Sequence, residues 1–235
     1  MSSEQVINTY CSNGILILDN VLSDIECDQL ANLCTNEGIN YESNELSKMI
    51  EERCKEFFPK YCYIFDAELE KDIDKNIYNH DNNMHYWYYE NISNNWRIFK
   101  RKIGDSLVKH YDRICFRSVD YKSIYTIIIY LNHTDGNLKF DDLEIEPIKG
   151  RAVIFNMNKC HEALENKTNE RIFIKSKLMY KRNNPIENAN DKEVAELYQD
   201  TILKYSKKSP EFFKMLEDGY KKSSLFERTI LNLFD

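Results

Sequence analysis

The sequence predicts a mainly β protein with flanking helices, an α+β chain built on a sandwich or barrel of strands. Three observations predict it. From Trp96 onward, short apolar runs recur between turn signals, at Ile124–Asn132, Ala152–Phe155 and Arg171–Tyr180. Helical spacing is confined to segments before residue 60 and after Pro185. Hydrophobic residues make up 42% of the 235 and aromatics 13%, enough apolar surface for a sizeable core and too much for wholesale disorder. Residues 1–185 are therefore expected to form one domain, with a helical N-terminal part over 20–60 and a strand-rich core over about 96–182. Residues 186–235 are expected to form a helical C-terminal extension.

Gly14–Asp19 (GILILD) reads as a first short strand. Ser23 and Glu26 have the spacing of a capping box, and Leu22 is placed to staple onto Cys27, so a helix is expected to about Cys34. A second helix is expected over about Asn44–Phe57, because Leu46, Met49, Ile50, Cys54 and Phe57 share one helical face. Asp66–Asn95 is acidic and then rich in Asn and aromatics, and is assigned no regular element. Ile124–Asn132 (IYTIIIYLN) is apolar without alternation, as expected of a strand buried on both faces. Asp135-Gly136-Asn137 marks a turn. Ile145–Lys149 leads through Pro147 and Gly150 into Ala152–Phe155. Arg171–Tyr180 (RIFIKSKLMY) is a further strand run. Beyond Pro185, Asn190/Glu193 and Ser209-Pro210 look like helix starts. The closing SSLFERTILNLFD is apolar enough to pack on the barrel or to mediate self-association through this tail.

Several function classes are excluded at this level. No apolar stretch approaches the roughly 20 residues of a membrane span, so no membrane partner is expected. The net charge of −7 is the wrong sign for a general nucleic-acid binder. Seven cysteines (11, 27, 34, 54, 62, 115 and 160) include no C-x-x-C, which argues against a disulfide framework and a zinc ribbon. With no basic n-region or h-region at the N-terminus, a cytoplasmic or nucleocytoplasmic location is expected.

Metal-binding potential resides in a few residues. His-x-Asp occurs twice, at His110-Tyr111-Asp112 and His133-Thr134-Asp135. In a strand, residues i and i+2 face the same side, so such a pair projects an imidazole and a carboxylate together. One distant His would complete a two-His-one-carboxylate triad, the arrangement of non-haem Fe(II) oxygenases. His133 and Asp135 sit at a turn, with the next hairpin alone separating them from His161. His110 and Asp112 precede the buried strand, and 49 positions separate Asp112 from His161, room for several strands to bring His161 back opposite.

The stretch Ile103-Gly104 to His110-Tyr111-Asp112, then Tyr125-Thr126 to Tyr130-Leu131-Asn132, resembles the prolyl 4-hydroxylase-like branch of the Fe(II)/2-oxoglutarate dioxygenases. So do Gly136 to Phe140, Pro147-x-x-Gly150-Arg-Ala-Val-Ile-Phe155, His161-Glu162 and Arg171 to the terminal Met179-Tyr180. The opening LDNVLSDIECDQL resembles that family's first strand and helix. The likeness spans about residues 96–182, with a weaker part at 14–34. It implies a double-stranded β-helix, or jelly-roll, core. It carries the metal-ligand role to His110, Asp112 and His161. It carries the cation for the distal carboxylate of 2-oxoglutarate to Arg171, ten positions after His161, where a planar guanidinium suits a buried carboxylate. Thr126 is placed to add a hydroxyl to that carboxylate. Iron, 2-oxoglutarate and O2 are the implied cofactor and co-substrates, and ascorbate the implied supporting reductant. A protein or peptide substrate, most naturally peptidyl proline, is the implied target.

Two positions depart from the family. Arg101 stands nine residues before His110, where the family often has a Tyr that helps hold 2-oxoglutarate. Asp135-Gly136 and Leu138 replace its Gly-Gly and Thr. The run Tyr86-Trp87-Tyr88-Tyr89 reads either as a wall of a peptide groove or as packing. Two rival functions stay open: a lysyl or small-molecule hydroxylase on the same scaffold, and a catalytically dead jelly-roll binding module.

Overall fold

The computed structural model describes residues 7–12, 14–34, 38–63, 86–118, 121–157 and 159–182. In chain order the elements are β1 (Asn8–Ser12), β2 (Ile15–Asp19), α1 (Asp24–Leu33), β3 (Gly38–Glu42), α2 (Asn44–Cys54), β4 (Tyr61–Tyr63), β5 (Tyr86–Ile92), β6 (Asn95–Arg101) and β7 (Leu107–His110). They continue with β8 (Phe116–Ser118), β9 (Tyr121–Tyr130), β10 (Leu138–Lys139), β11 (Glu144–Ile145), β12 (Ala152–Asn156), β13 (His161–Ala163) and β14 (Arg171–Arg182). The C-terminal helices expected after Pro185, and the tail proposed for self-association, lie outside the described residues. So does residues 64–85 of the segment read as irregular. The rest of that segment is a correction: Tyr86–Ile92 is a strand, because its aromatic and β-branched residues suit a pleated surface better than their Asn-rich context indicates.

The chain divides into two compact units. The first comprises Met1–Phe58, Asn91–Asp112 and Ile124–Leu178. It contains the jelly-roll core. Its larger sheet runs β1-β2-β12-β9-β14, with β6 paired to β14 and β3 to β6. Its smaller sheet runs β11-β10-β13-β7. Ile128, Tyr130, Val153 and Phe155 from the larger sheet pack against Leu138 and Ile145 of the smaller one, with Ile15 and Phe140 completing the cluster. The continuous apolar character of β9 follows from burial on both faces: Ile127 and Ile129 are as buried as Thr126.

The helices close the other face of the larger sheet. Ser23 and Glu26 form the expected capping box on α1, and Glu26 also accepts a bidentate pair of hydrogen bonds from Arg53 of α2, at 2.8 and 2.9 Å. That fork, with the Ser23 bonds, holds the Glu26 carboxyl down at about 2. Trp96 Nε1 donates to Ser47 Oγ, which in turn donates to the Ser43 and Ser93 carbonyls, so α2 is fixed to β6 by a fully used hydroxyl. α2 stops at Cys54 rather than Phe57, because the chain tightens into turns over Lys55–Phe57.

The second unit comprises Pro59–Glu90, Arg113–Ser123 and Met179–Asp235. Within it β4 pairs with β5, and β8 with the start of β9. Trp87 is fully buried there, with Lys122 Nζ 4.4 Å from its ring centroid, and Tyr180 donates to the Pro59 carbonyl. No helix among the described residues is long and apolar enough to cross a membrane.

Candidate active site

The smaller sheet brings the two distant histidines together. β7 ends at His110 and β13 begins at His161, and these two residues are register partners in the antiparallel pair. Paired residues project to the same face, so the ring centroids lie 4.3 Å apart. Asp112 follows two residues beyond the end of β7. One ligand atom from each of His110, Asp112 and His161 falls within 4.8 Å of the others.

Each ring is oriented by its own chain. His110 Nδ1 lies 2.9 Å from the Val108 carbonyl and His161 Nδ1 2.9 Å from the Lys159 carbonyl. A carbonyl can only accept, so Nδ1 carries the proton and Nε2 keeps its lone pair, the tautomer a metal ligand requires. Burial pushes His161 down to about 4, outweighing the Asp112 charge, and keeps the imidazole neutral at pH 7. Phe155 and Phe140 wall that ring at 4.6 and 5.7 Å between centroids, which excludes water from one side.

Both oxygens of Asp112 are engaged. Oδ1 accepts from Lys175 Nζ, and Oδ2 accepts from Thr126 Oγ1 at 2.5 Å. Burial alone would raise this carboxyl, but Lys175, His161 and the two hydrogen bonds outweigh it and hold it at about 2. The Thr126 hydroxyl was expected on the co-substrate's carboxylate. It is instead committed to Asp112, because β9 carries it to Asp112 rather than toward Arg171. From the sequence Lys175 is the fallback cation for the co-substrate's carboxylate, and its contact with Asp112 is not foreseen. The signal was present, since it lies four residues after Arg171 on one strand and so on the same face.

Arg171 is 3% exposed. Its Nη1 donates to the Gly136 carbonyl at 2.6 Å and the Leu164 carbonyl at 3.0 Å. Among the described residues no carboxylate forms an ion pair with it, and burial followed by the neighbouring Arg101 charge depresses its affinity for the proton. A Cβ at position 136 would stand 2.5 Å from Arg171 Nη1, so glycine there is what lets the guanidinium seat. Arg101 is the register partner of Arg171 across β6 and β14, with its guanidinium carbon 5.4 Å from the Phe99 ring centroid.

The alternative His-x-Asp does other work. His133 is exposed, and Asp135 Oδ1 accepts from Lys167 N, Thr168 N and Thr168 Oγ1, tying two loops together. Among the described residues, His110, Asp112 and His161 form the cluster able to hold a metal. Of the aromatic run, Trp87 is a core side chain with no exposed face, a correction to its reading as a substrate platform, whereas Tyr88 is 43% exposed. Nothing further is described for the Tyr86 side chain.

Residues 96–176, which contain all three candidate ligands and Arg171, match the family model described as the 2OG-Fe(II) oxygenase superfamily. Over these residues the chain is similar to the 2OG-Fe(II) oxygenase superfamily. No curated protein matches the chain. Among solved structures, it is similar to the viral collagen prolyl hydroxylase of Paramecium bursaria Chlorella virus-1 in its 2OG complex (19% identity, 72% of this chain and 97% of that one, TM-score 0.49). It is also similar to a Pseudomonas putida prolyl-4-hydroxylase (18%, 70% and 91%, TM-score 0.42). A third is the Trichoplax adhaerens prolyl hydroxylase in complex with a hypoxia inducible factor peptide fragment (16%, 71% and 84%, TM-score 0.44).

Proposed function

We propose that this chain is a 2OG-Fe(II)-dependent dioxygenase that hydroxylates a protein side chain, with peptidyl proline the first target to test. The observation that carries the catalytic reading is the convergence of His110, Asp112 and His161, together with a buried Arg171 that forms no ion pair with a carboxylate among the described residues. The donor set of two imidazoles and one carboxylate suits Fe(II) and leaves coordination positions open. The fit is supported by the Nδ1 contacts with backbone carbonyls, which leave Nε2 of each ring as the ligand atom.

The bound iron would supply O2 activation, with 2-oxoglutarate oxidised to succinate and CO2 as one oxygen atom enters a substrate C–H bond. The chain's own residues orient and shield. His110, Asp112 and His161 hold the ion. Lys175 and Thr126 fix the Asp112 carboxylate, so that it presents one geometry. Arg171 binds the distal carboxylate of 2-oxoglutarate, with Arg101 as a second cation at that end of the strand pair. Phe140 and Phe155 keep water from the buried side of His161.

The preference for proline rests on the sequence resemblance over residues 96–182. Purified protein incubated with Fe(II), 2-oxoglutarate and ascorbate should form succinate, and cell lysate treated with it should gain peptides 16 Da heavier at proline. Modification at lysine would leave the chemistry intact and replace the substrate. No succinate from metal-loaded, folded protein would favour the binding-module reading.

A further inference from the structure

Strand β6 lies beside β14, and the register places like charges directly opposite one another twice. Arg101 faces Arg171, Phe99 faces Phe173, and Arg97 faces Lys175. Partners in an antiparallel pair project to one face, so these six side chains form a grid, with two cations at each end and two rings between. The rings are stacked, 4.8 Å between centroids at 17°. Both arginines of β6 lean onto the Phe99 ring, Arg97 at 4.7 Å and Arg101 at 5.4 Å from its centroid.

Opposed like charges weaken a strand pair, and here the sheet carries two such pairs on one face. Lys175 is compensated by Asp112. Asp105 lies in electrostatic reach of Arg171. Neither Arg97 nor Arg101 forms an ion pair with a carboxylate among the described residues. Arg97 is exposed, and the neighbouring strand sets Asn40 opposite Arg97 and Gly38 opposite Phe99. Arg97 is also one strand away from Lys175, whose ammonium touches the proposed metal ligand Asp112.

We infer that the Arg97 end of this face binds an acidic peptide segment, seating a carboxylate side chain beside the residue that is oxidised. The inference rests on the hydroxylase reading, because it assigns the substrate class of that same site. Arg101 and Arg171 take the co-substrate's carboxylate at the far end of the grid. Arg97 takes the substrate's carboxylate at the near end, with Lys175 adding to the attraction. Charge complementarity therefore selects an acidic partner even though the chain as a whole carries −7.

The test uses the full chain loaded with Mn(II) and 2-oxoglutarate, so no turnover is needed. Fluorescein-labelled Gly-Glu-Glu-Pro-Glu-Glu-Gly and its Gln counterpart are titrated and followed by anisotropy. The glutamyl peptide should bind about tenfold tighter at low salt, and the preference should shrink as KCl screens it. Arg97→Gln should abolish the preference and Arg97→Glu should reverse it, while Arg97→Lys retains part of it. Thermal unfolding checks that each variant is folded. Equal binding of the two peptides, or a preference that survives in folded Arg97→Gln, overturns the inference. So does tighter binding of an eight-residue oligothymidylate. N-acetylglutamate competing as well as the peptide would overturn the peptide assignment in favour of a small acid. Succinate formation is measured separately: its presence without a peptide preference sinks this inference alone, and its absence sinks the hydroxylase reading.

Discussion

Arg171→Ala is the perturbation whose consequence follows most closely from the structure. Arg171 is 3% exposed and lacks a carboxylate ion pair among the described residues, yet two backbone carbonyls hold its Nη1 in place. A buried guanidinium so placed is costly unless an anion reaches it, and the anion proposed for it is the distal carboxylate of 2-oxoglutarate. Removing one partner of a buried charge pair costs roughly 3–5 kcal/mol. Arg101 remains opposite and retains part of the field, so the loss should fall at the lower end, about a hundredfold in affinity. The Gly136 and Leu164 carbonyls also lose their donor, which should lower fold stability by about 2 kcal/mol or more. Calorimetric titration of 2-oxoglutarate into Mn(II)-loaded protein measures the first effect, and thermal unfolding the second. Arg171→Lys keeps a charge and should lose less of both. If folded Arg171→Ala bound 2-oxoglutarate with unchanged affinity, the reasoning would fail and Lys175 would become the better candidate for the carboxylate.

Three other outcomes are expected. Thr126→Val removes the hydroxyl that donates to Asp112 Oδ2, and should weaken Mn(II) binding by about tenfold with little change in secondary structure. Glu26 titrates from an ordinary carboxylate in the unfolded chain to about 2 in the fold, so its contribution is fully present above about pH 4.5 and is lost as the pH falls toward 2. Glu26→Gln should therefore cost about 1–2 kcal/mol at pH 7, allowing for solvent screening of the pair, and should flatten the acid limb of the stability curve. Trp87→Ala should destabilise the fold by about 3–5 kcal/mol, because the ring is fully buried, with peptide hydroxylation and uncoupled 2-oxoglutarate turnover falling together.

Much of the core was legible because local chemistry and tertiary role coincide there. The Ser23–Glu26 capping box, the doubly buried β9 and the His110-x-Asp112 pair each follow from residue type and spacing, and each is present. β1 and β3 were not legible. They carry Asn, Ser, Cys and Gly, and become strands through pairing with β2 and β6 rather than through their own pattern. The role of Thr126 was misread because a sequence gives the strand but not which of two nearby carboxylate positions its hydroxyl meets. The pairing of Lys175 with Asp112 and the place of Arg97 were not legible for a related reason. Strand parity places them on the inner face, but only the β6–β14 register sets them opposite one another.

The claim on which the rest depends is that His110, Asp112 and His161 together hold a single metal ion. Mn(II) binding, counted by electron paramagnetic resonance on wild type, His161→Ala and His133→Ala, tests it most directly. One ion per chain is expected for wild type and for His133→Ala, and none bound tightly for His161→Ala. Full occupancy in His161→Ala, or loss of the ion in His133→Ala with His161 intact, would contradict it.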